Sequence, residues 1–196
     1  MTSTPRAPGR PKDPAIDEEL LRTTQDLLIE DGFERLTMDA VARRCGASKA
    51  TIYRRWTSKT ALVVAAAAAL FTAPDVPDTG DLREDLLACG RAYITADGRN
   101  AKVLASVLAA SRHDAELRDA SQEALGAPYS SLFVQVLSRA VARGVLSPEV
   151  DIDLLAEVFP AIAYHRIAAE GLQVVEADII RTVDSVLLPA LHTFTR

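Results

Sequence analysis

The chain has 196 residues, 48% of them hydrophobic and 25% charged, an ordinary soluble globular profile that can bury a sizeable core in one or two domains. Two cysteines, Cys45 and Cys89, exclude a disulfide framework, and neither stands in a CxxC pair. The longest apolar run, residues 61–70, is mostly alanine and far too short to span a bilayer. The net charge of −5, taken alone, argues against a nucleic-acid partner, but it averages two unlike parts. Residues 1–60 carry 11 basic and 9 acidic side chains, net +2, and residues 61–196 carry 11 and 18, net −7. A basic head on an acidic body is how a localised nucleic-acid surface would show itself, with the body repelled and only the head in contact.

Residues 1–14 hold four prolines, Gly9 and the basic residues Arg6, Arg10 and Lys12, with no apolar run to pack or to serve as a secretory leader. They read as a flexible basic arm, and a cytoplasmic, reducing location is the expectation. The arm is either a plain tail or a segment for the adjacent minor groove; Gly9-Arg10-Pro11-Lys12 resembles the groove-hugging peptides of AT-hook proteins. An amphipathic helix is expected from about 16 to 31, with Leu20, Thr24, Leu27 and Leu28 as its buried stripe and Asp17, Glu18 and Glu19 in its first turn. Gly32 should end it, leaving Phe33 to plug a three-helix head.

Residues 37–60 then read as two short helices joined by a tight turn. Thr37 is a natural N-cap, and Met38, Val41, Ala42 and Cys45 form one apolar face at i, i+3, i+4 and i+7. Gly46 stands where that helix must stop, and Ser48 caps the next. In the second helix Ile52 and Trp56 point inward, so Ala50, Thr51, Tyr53 and Arg54 face outward together. From Ala40 to Thr60 there are six Lys or Arg and no Asp or Glu. Cap, glycine turn, apolar pattern and charge together predict a helix-turn-helix whose second helix fits a major groove and whose N-terminal amides can hold a phosphate. Lys49, Ala50, Thr51, Tyr53 and Arg54 are the candidates for the groove floor or its lip, Arg54 for a guanine. Thr37, Arg43, Arg44, Ser48, Tyr53, Arg55 and Lys59 are the phosphate candidates.

These residues resemble a known family. Ser48-Lys49-Ala50-Thr51-Ile52-Tyr53-Arg54-Arg55-Trp56, followed by Ser58-Lys59 and Ala61-Leu62 and preceded by Gly32-Phe33, Thr37-Met38 and Val41-Ala42, is similar to the signature of the TetR family of transcriptional repressors. The resemblance covers roughly residues 15 to 65. Ala50 stands where many members have glycine, which bears on base preference rather than on the class of activity. The resemblance implies an all-α chain with a helix-turn-helix DNA-binding head and a helical ligand-binding and dimerisation bundle, no enzymatic activity and no cofactor.

Ser58 should cap a long helix running to about Phe71, and residues 74–80, rich in proline and aspartate, mark a break. The division expected is 1–14 as arm, 15–60 as DNA-binding domain and 61–196 as ligand-binding and dimerisation domain, linked by the helix from Ser58. Helical periodicity continues near 81–97, 100–112, 115–125, 128–143, 151–170 and 176–194, with no convincing strand. Pro160 and Pro189 lie inside these patterns and should kink or break them. The last helix has more apolar surface than one interface uses: Ile180, Val183, Leu187, Leu191 and Phe194, widened by Ile179, Val186 and Ala190. It is either central to the body or packed on a second subunit. A C2 homodimer through 151–170 and 176–194, reading a palindromic double-stranded DNA operator, is the expectation, and the resemblance implies the same pairing.

The body shows no GxGxxG, phosphate loop, HExxH or nucleophile elbow, so neither a catalytic residue nor a metal site is expected there. Asp151 and Asp153 read as helix-start acids rather than metal ligands. The resemblance implies a small-molecule pocket enclosed by residues 81–170. Tyr93, His113, Tyr129, Phe133, Phe159 and Tyr164 are its candidate lining, since pockets combine an apolar wall with few polar groups. Repressor and activator action are both compatible with this reading, as is a binding protein whose head no longer engages DNA.

Overall fold

A computed structural model of the protein describes residues 14–71, 75–94 and 98–194, and among them it is all-helical. The basic arm falls almost wholly outside the described residues. The head comprises α1 (Pro14–Arg35), α2 (Met38–Arg44), α3 (Lys49–Tyr53) and α4 (Lys59–Ala68). The three hydroxyl caps read from the sequence are present: Thr37 accepts from Ala40 N, Ser48 from Thr51 N and Ser58 from Ala61 N, each at 3.1 Å. The turn after α2 is a Schellman motif. Gly46, at φ 63°, donates to Arg43 O and Ala47 donates to Ala42 O, closing two carbonyls that α2 leaves open. Gly32, at φ 75°, interrupts α1, and Phe33 drops into the head core behind it.

The body comprises α5 (Leu82–Arg91), α6 (Gly98–Ser111), α7 (Ala115–Ser121), α8 (Ala127–Ala142), α9 (Ile152–Tyr164), α10 (Glu176–Thr182) and α11 (Leu188–His192). Its core gathers Leu86, Phe133, Val136, Leu137, Phe159, Ile179, Val183 and Leu187 from α5, α8, α9 and the C-terminal helices. The head core does not stop at the head. Leu20, Leu28, Val41, Ile52 and Leu62 share one cluster with Val103 and Val107 of α6 and Leu117 of α7.

A polar seam runs along the same contact. Arg99 of α6 donates to Asp26 Oδ1 at 2.7 Å and to Arg22 O at 3.1 Å on α1. Ser106 donates to Leu28 O and Asn100 to Leu70 O, while within the head the buried Gln25 of α1 donates to Ala66 O of α4 at 2.8 Å. The helix from Ser58 is shorter than its sequence suggests, ending at Ala68 with two 3₁₀-type bonds to Phe71. Head and body therefore meet through α1 and α4 packed against α6 and α7, not through one long helix.

Three π segments, Gln122–Gly126, His165–Ala169 and Val183–Leu187, merge helices that the sequence separates or extend them. Each coincides with buried residues recurring at every fourth position: Leu117, Ser121, Leu125; Phe159, Ala163, Ile167; Ile179, Val183, Leu187, Leu191. A repeat of four overruns the 3.6-residue α turn and would rotate the stripe off the core; one wider turn takes up the excess. Pro128 and Pro189 each follow a π segment by two residues, where the widened turn displaces the carbonyl that a proline ring would strike. Pro160 stays inside α9. The last stripe is thereby sorted: Ile179, Val183, Leu187 and Leu191 face the core, while Ile180 and Val186 face outward.

Helix α5 approaches α10 and α9 closely because Gly90 has no side chain; a Cβ there would stand 2.5 Å from Ile179 Cγ2 and 3.3 Å from Phe159 Cζ. Gly90→Ala should lower stability by about 1–3 kcal/mol through overpacking, read as a reduced urea midpoint with unchanged slope.

Candidate functional site

The outward surface of α2 and α3 is where the head differs from a structural bundle. Ile52 is fully buried and fixes the rotation of α3, so Ser48, Lys49, Ala50 and Arg54 stand exposed and Tyr53 is 51% exposed despite its size. Ser48 Oγ lies 2.8 Å from Thr51 Oγ1 and caps the helix, which holds both hydroxyls at its start. Thr37 is likewise exposed and engaged as the cap of α2.

The basic residues fall into three groups. Arg43 and Arg54 are exposed, with no carboxylate partner among the described residues. Arg44 and Lys49 are exposed but paired, Arg44 with both carboxylate oxygens of Glu30 and Lys49 with Asp39 at 2.5 Å. The Arg44 guanidinium lowers the Glu30 carboxyl below its ordinary range, mainly through the hydrogen bond. Such exposed pairs are weak, and a phosphate can compete for the cation. Arg55 and Lys59 are occupied inside the head. The Arg55 side chain is 4% exposed, paired with Asp17 of α1 and donating to Thr51 O. Lys59 Nζ donates to Phe33 O at 3.0 Å and sits 3.9 Å from the centre of its ring. The sequence pattern does not distinguish these two from the outward cations; the charge is the same and only the facing side chains differ.

The body holds a cavity of about 340 Å³ between α6, α7, α8 and α9. Three of the six residues expected to line it do so: Tyr93, Tyr129 and Tyr164. Phe133 and Phe159 lie behind the wall, fully buried and stacked on each other with centroids 5.5 Å apart, and Tyr93 packs edge-on against Phe159 at 5.2 Å. His113 is exposed in the turn between α6 and α7, outside the lining. Leu104, Leu108 and Ser111 come from α6, Arg112 from the turn after it, and Arg118, Ser121, Gln122, Leu125 and Gly126 from α7 and its π segment. Ser130 of α8 and Pro160, Ala163 and Ile167 complete the wall. The sequence does not mark these residues as lining, because nothing in a leucine-serine pattern separates a cavity wall from a core. Burial raises the Tyr93 and Tyr129 hydroxyls above the usual phenol range, so both are neutral in the cavity.

Among the described residues no helix is long and apolar enough to cross a membrane. Asp151 serves as the N-cap of α9, accepting from Leu154 N at 3.0 Å. In the Tyr164-His165-Arg166 run only Tyr164 reaches the cavity; His165 lies 3.5 Å from Glu170, and Arg166 pairs with Asp178 at 2.9 Å.

Two outcomes test this sorting. Arg55→Ala should destabilise the fold by about 1–3 kcal/mol in chemical denaturation, because it strips a buried donor set from Asp17 and Thr51, whereas Arg54→Ala should leave stability unchanged. Cys89, fully buried and with its thiol pushed up to about 12 by burial, should resist a thiol reagent at pH 8 in the native state, while the half-buried Cys45 reacts.

Comparison with known proteins agrees with the head and the body separately. Residues 20–66 match the model for bacterial regulatory proteins of the tetR family, and residues 76–186 match the tetracyclin repressor-like C-terminal domain. A DNA-binding transcriptional repressor TetR of Mycobacteroides abscessus is 40% identical over 180 residues, covering 90% of this chain and 94% of that protein. An uncharacterized HTH-type transcriptional regulator of Mycobacterium tuberculosis is 36% identical over 191 residues, 95% of each chain. The crystal structure of the TetR family transcription regulator SCO0332 superposes with a TM-score of 0.61 at 32% identity, covering 88% of this chain and 96% of that one. An exposed helix-turn-helix face joined to a hollow helical body, with relatives along nearly the whole length, has one reading: this chain belongs to the TetR family of transcriptional regulators.

Proposed function

We propose that the protein is a homodimeric repressor that leaves a palindromic operator when a small molecule occupies the body cavity. The observation that carries this reading is helix α6, which presents Val103 and Val107 to the head core and Leu104 and Leu108 to the cavity. A ligand that moves the Leu104–Leu108 face moves the surface on which α1 and α4 rest, and with it the recognition helix α3. Release requires only that the ligand bind the two arrangements with different affinity, typically by about 1–3 kcal/mol. Repression is favoured over activation by the relative from Mycobacteroides abscessus, which is named a repressor.

In this reading residues 15–60 read DNA, residues 61–196 bind ligand and dimerise, and residues 1–14 form a basic arm. Lys49, Ala50, Thr51, Tyr53 and Arg54 meet the groove or its lip, and Thr37, Arg43, Arg44, Ser48 and Tyr53 meet phosphates. Arg55 and Lys59 act from within, holding α3 and the start of α4 against α1 and Phe33. Dimerisation is proposed through α9, α10 and α11, where Leu154 is 60% exposed and Ile180 and Val186 remain uncovered in the single chain. Two α3 helices would then stand about 34–36 Å apart, matching successive major grooves. The protein is proposed to act in the cytoplasm, as a regulator and not an enzyme, without a cofactor.

Arg54→Ala should cost about 1–3 kcal/mol on the selected operator and relax preference at one base pair, while Arg43→Ala should weaken operator and random DNA alike and reduce the salt slope by about one. Fragment selection from random DNA followed by binding between 50 and 200 mM salt measures both. Leu154→Arg with Val186→Arg should sediment as a monomer and lose operator retention; a dimer that persists would place the interface elsewhere.

A further inference from the structure

The cavity has a charge pattern that the body as a whole lacks. Residues 61–196 are net −7, yet the cavity lining includes two arginines, Arg112 and Arg118, and no aspartate or glutamate. Both arginines are exposed as well as lining, which puts them at the solvent edge of the cavity, Arg112 in the turn after α6 and Arg118 on α7. Arg112 has no carboxylate partner among the described residues. Arg118 has only Asp119, at 3.5 Å and itself mostly exposed, a pair too weak to hold it.

Of the other polar groups in the lining, the three serines are committed to the helix backbone. Ser111 Oγ donates to Val107 O at 2.8 Å, Ser121 Oγ to Leu117 O at 2.6 Å, and Ser130 Oγ to Ala127 O. Deeper in, the wall is leucine, alanine, isoleucine and tyrosine rings, and the half-buried Tyr93 and Tyr129 phenols are neutral. What the cavity offers a ligand is therefore an apolar interior closed at one edge by donor-only, permanently charged groups with the fork geometry that suits a carboxylate.

We propose that the effector is a small hydrophobic organic anion, its apolar body seated among Tyr93, Leu104, Leu108 and Tyr129 and its single carboxylate, or a like group, held by Arg112 and Arg118. This rests on the reading of the cavity as the effector site and adds the class of molecule. The volume, about 340 Å³, is at the small end of ligand pockets, which suits a compact body of one or two rings rather than a long chain.

The test uses three probes of one shape and different charge, naphthylacetate, naphthylacetamide and naphthylethylamine, titrated by equilibrium dialysis into the full-length protein. The acid should bind about tenfold or more tighter than the amide, and the amine more weakly still. Arg112→Gln with Arg118→Gln, both at exposed positions and so expected to fold, should bring the ratio of acid to amide close to one; circular dichroism and the thermal midpoint confirm folding. Equal binding of acid and amide, no binding of the acid, or a ratio that survives the double substitution would each overturn the proposal. Operator retention is measured in parallel. Acid binding with the expected charge preference but no loss of retention would uphold the ligand class and overturn the release mechanism instead.

Discussion

The whole arrangement depends on one helix belonging to two cores. Val103 and Val107 are buried with α1 and α4, and Leu104 and Leu108, one residue further round, border the cavity. Because successive residues on a helix are about 100° apart, neighbouring positions inevitably serve different neighbours; α6 uses this to make the cavity wall and the seat of the head the same rigid object. The seam of Arg99, Asn100 and Ser106 against α1 and Leu70 adds direction to the apolar contact. Close-packed interiors respond to a local push by switching arrangement rather than deforming gradually, so under the proposed mechanism a displacement at the cavity would reach the head without a dedicated lever.

The π segments belong to the same economy. A helix that buries every fourth residue must rotate or widen, and among the described residues the backbone widens three times. The segment Gln122–Gly126 lies between α7 and α8, lines the cavity through Gln122, Leu125 and Gly126, and packs against α4. It is thus a second place where cavity and head share one piece of backbone. Polar pairs fasten the loop before α5 both to α5 itself and to the end of α8: Asp85 accepts from Thr79 N and Oγ1 at 2.7 Å each, and Arg143 grips both oxygens of Asp78.

The basic head shows how little a count of charges says about a binding surface. Six cations lie between Ala40 and Thr60, and the fold divides them into two with no carboxylate partner among the described residues, two loosely paired and two turned back onto the head itself. The last pair sets the pose of the rest. Arg55 ties the end of α3 to Asp17 at the start of α1, and Lys59 bridges the start of α4 to the Gly32–Phe33 bend. A cation that positions the recognition helix can matter to DNA binding without touching a phosphate.

Local chemistry determined much of this protein before any packing was known. The caps at Thr37, Ser48 and Ser58, the stop at Gly46 and the inward stripe through Ile52 are fixed by interactions within a few residues, so the sequence alone predicts the helix-turn-helix and the face that α3 exposes. The helical body was legible for the same reason, since periodicity is a property of a short window. What only the tertiary structure decided depends on partners far apart in the chain. Asp17 turns Arg55 inward, the stacking of Phe133 on Phe159 draws both behind the cavity, and the repeat of four in the last helices becomes a π turn only because a single core holds all of Ile179, Val183, Leu187 and Leu191. Arg112 and Arg118 read as ordinary surface charges until α6 and α7 fold against α8 and α9 and leave a hollow between them. A side chain's type is written in the sequence, but which way it faces is set by what packs beside it.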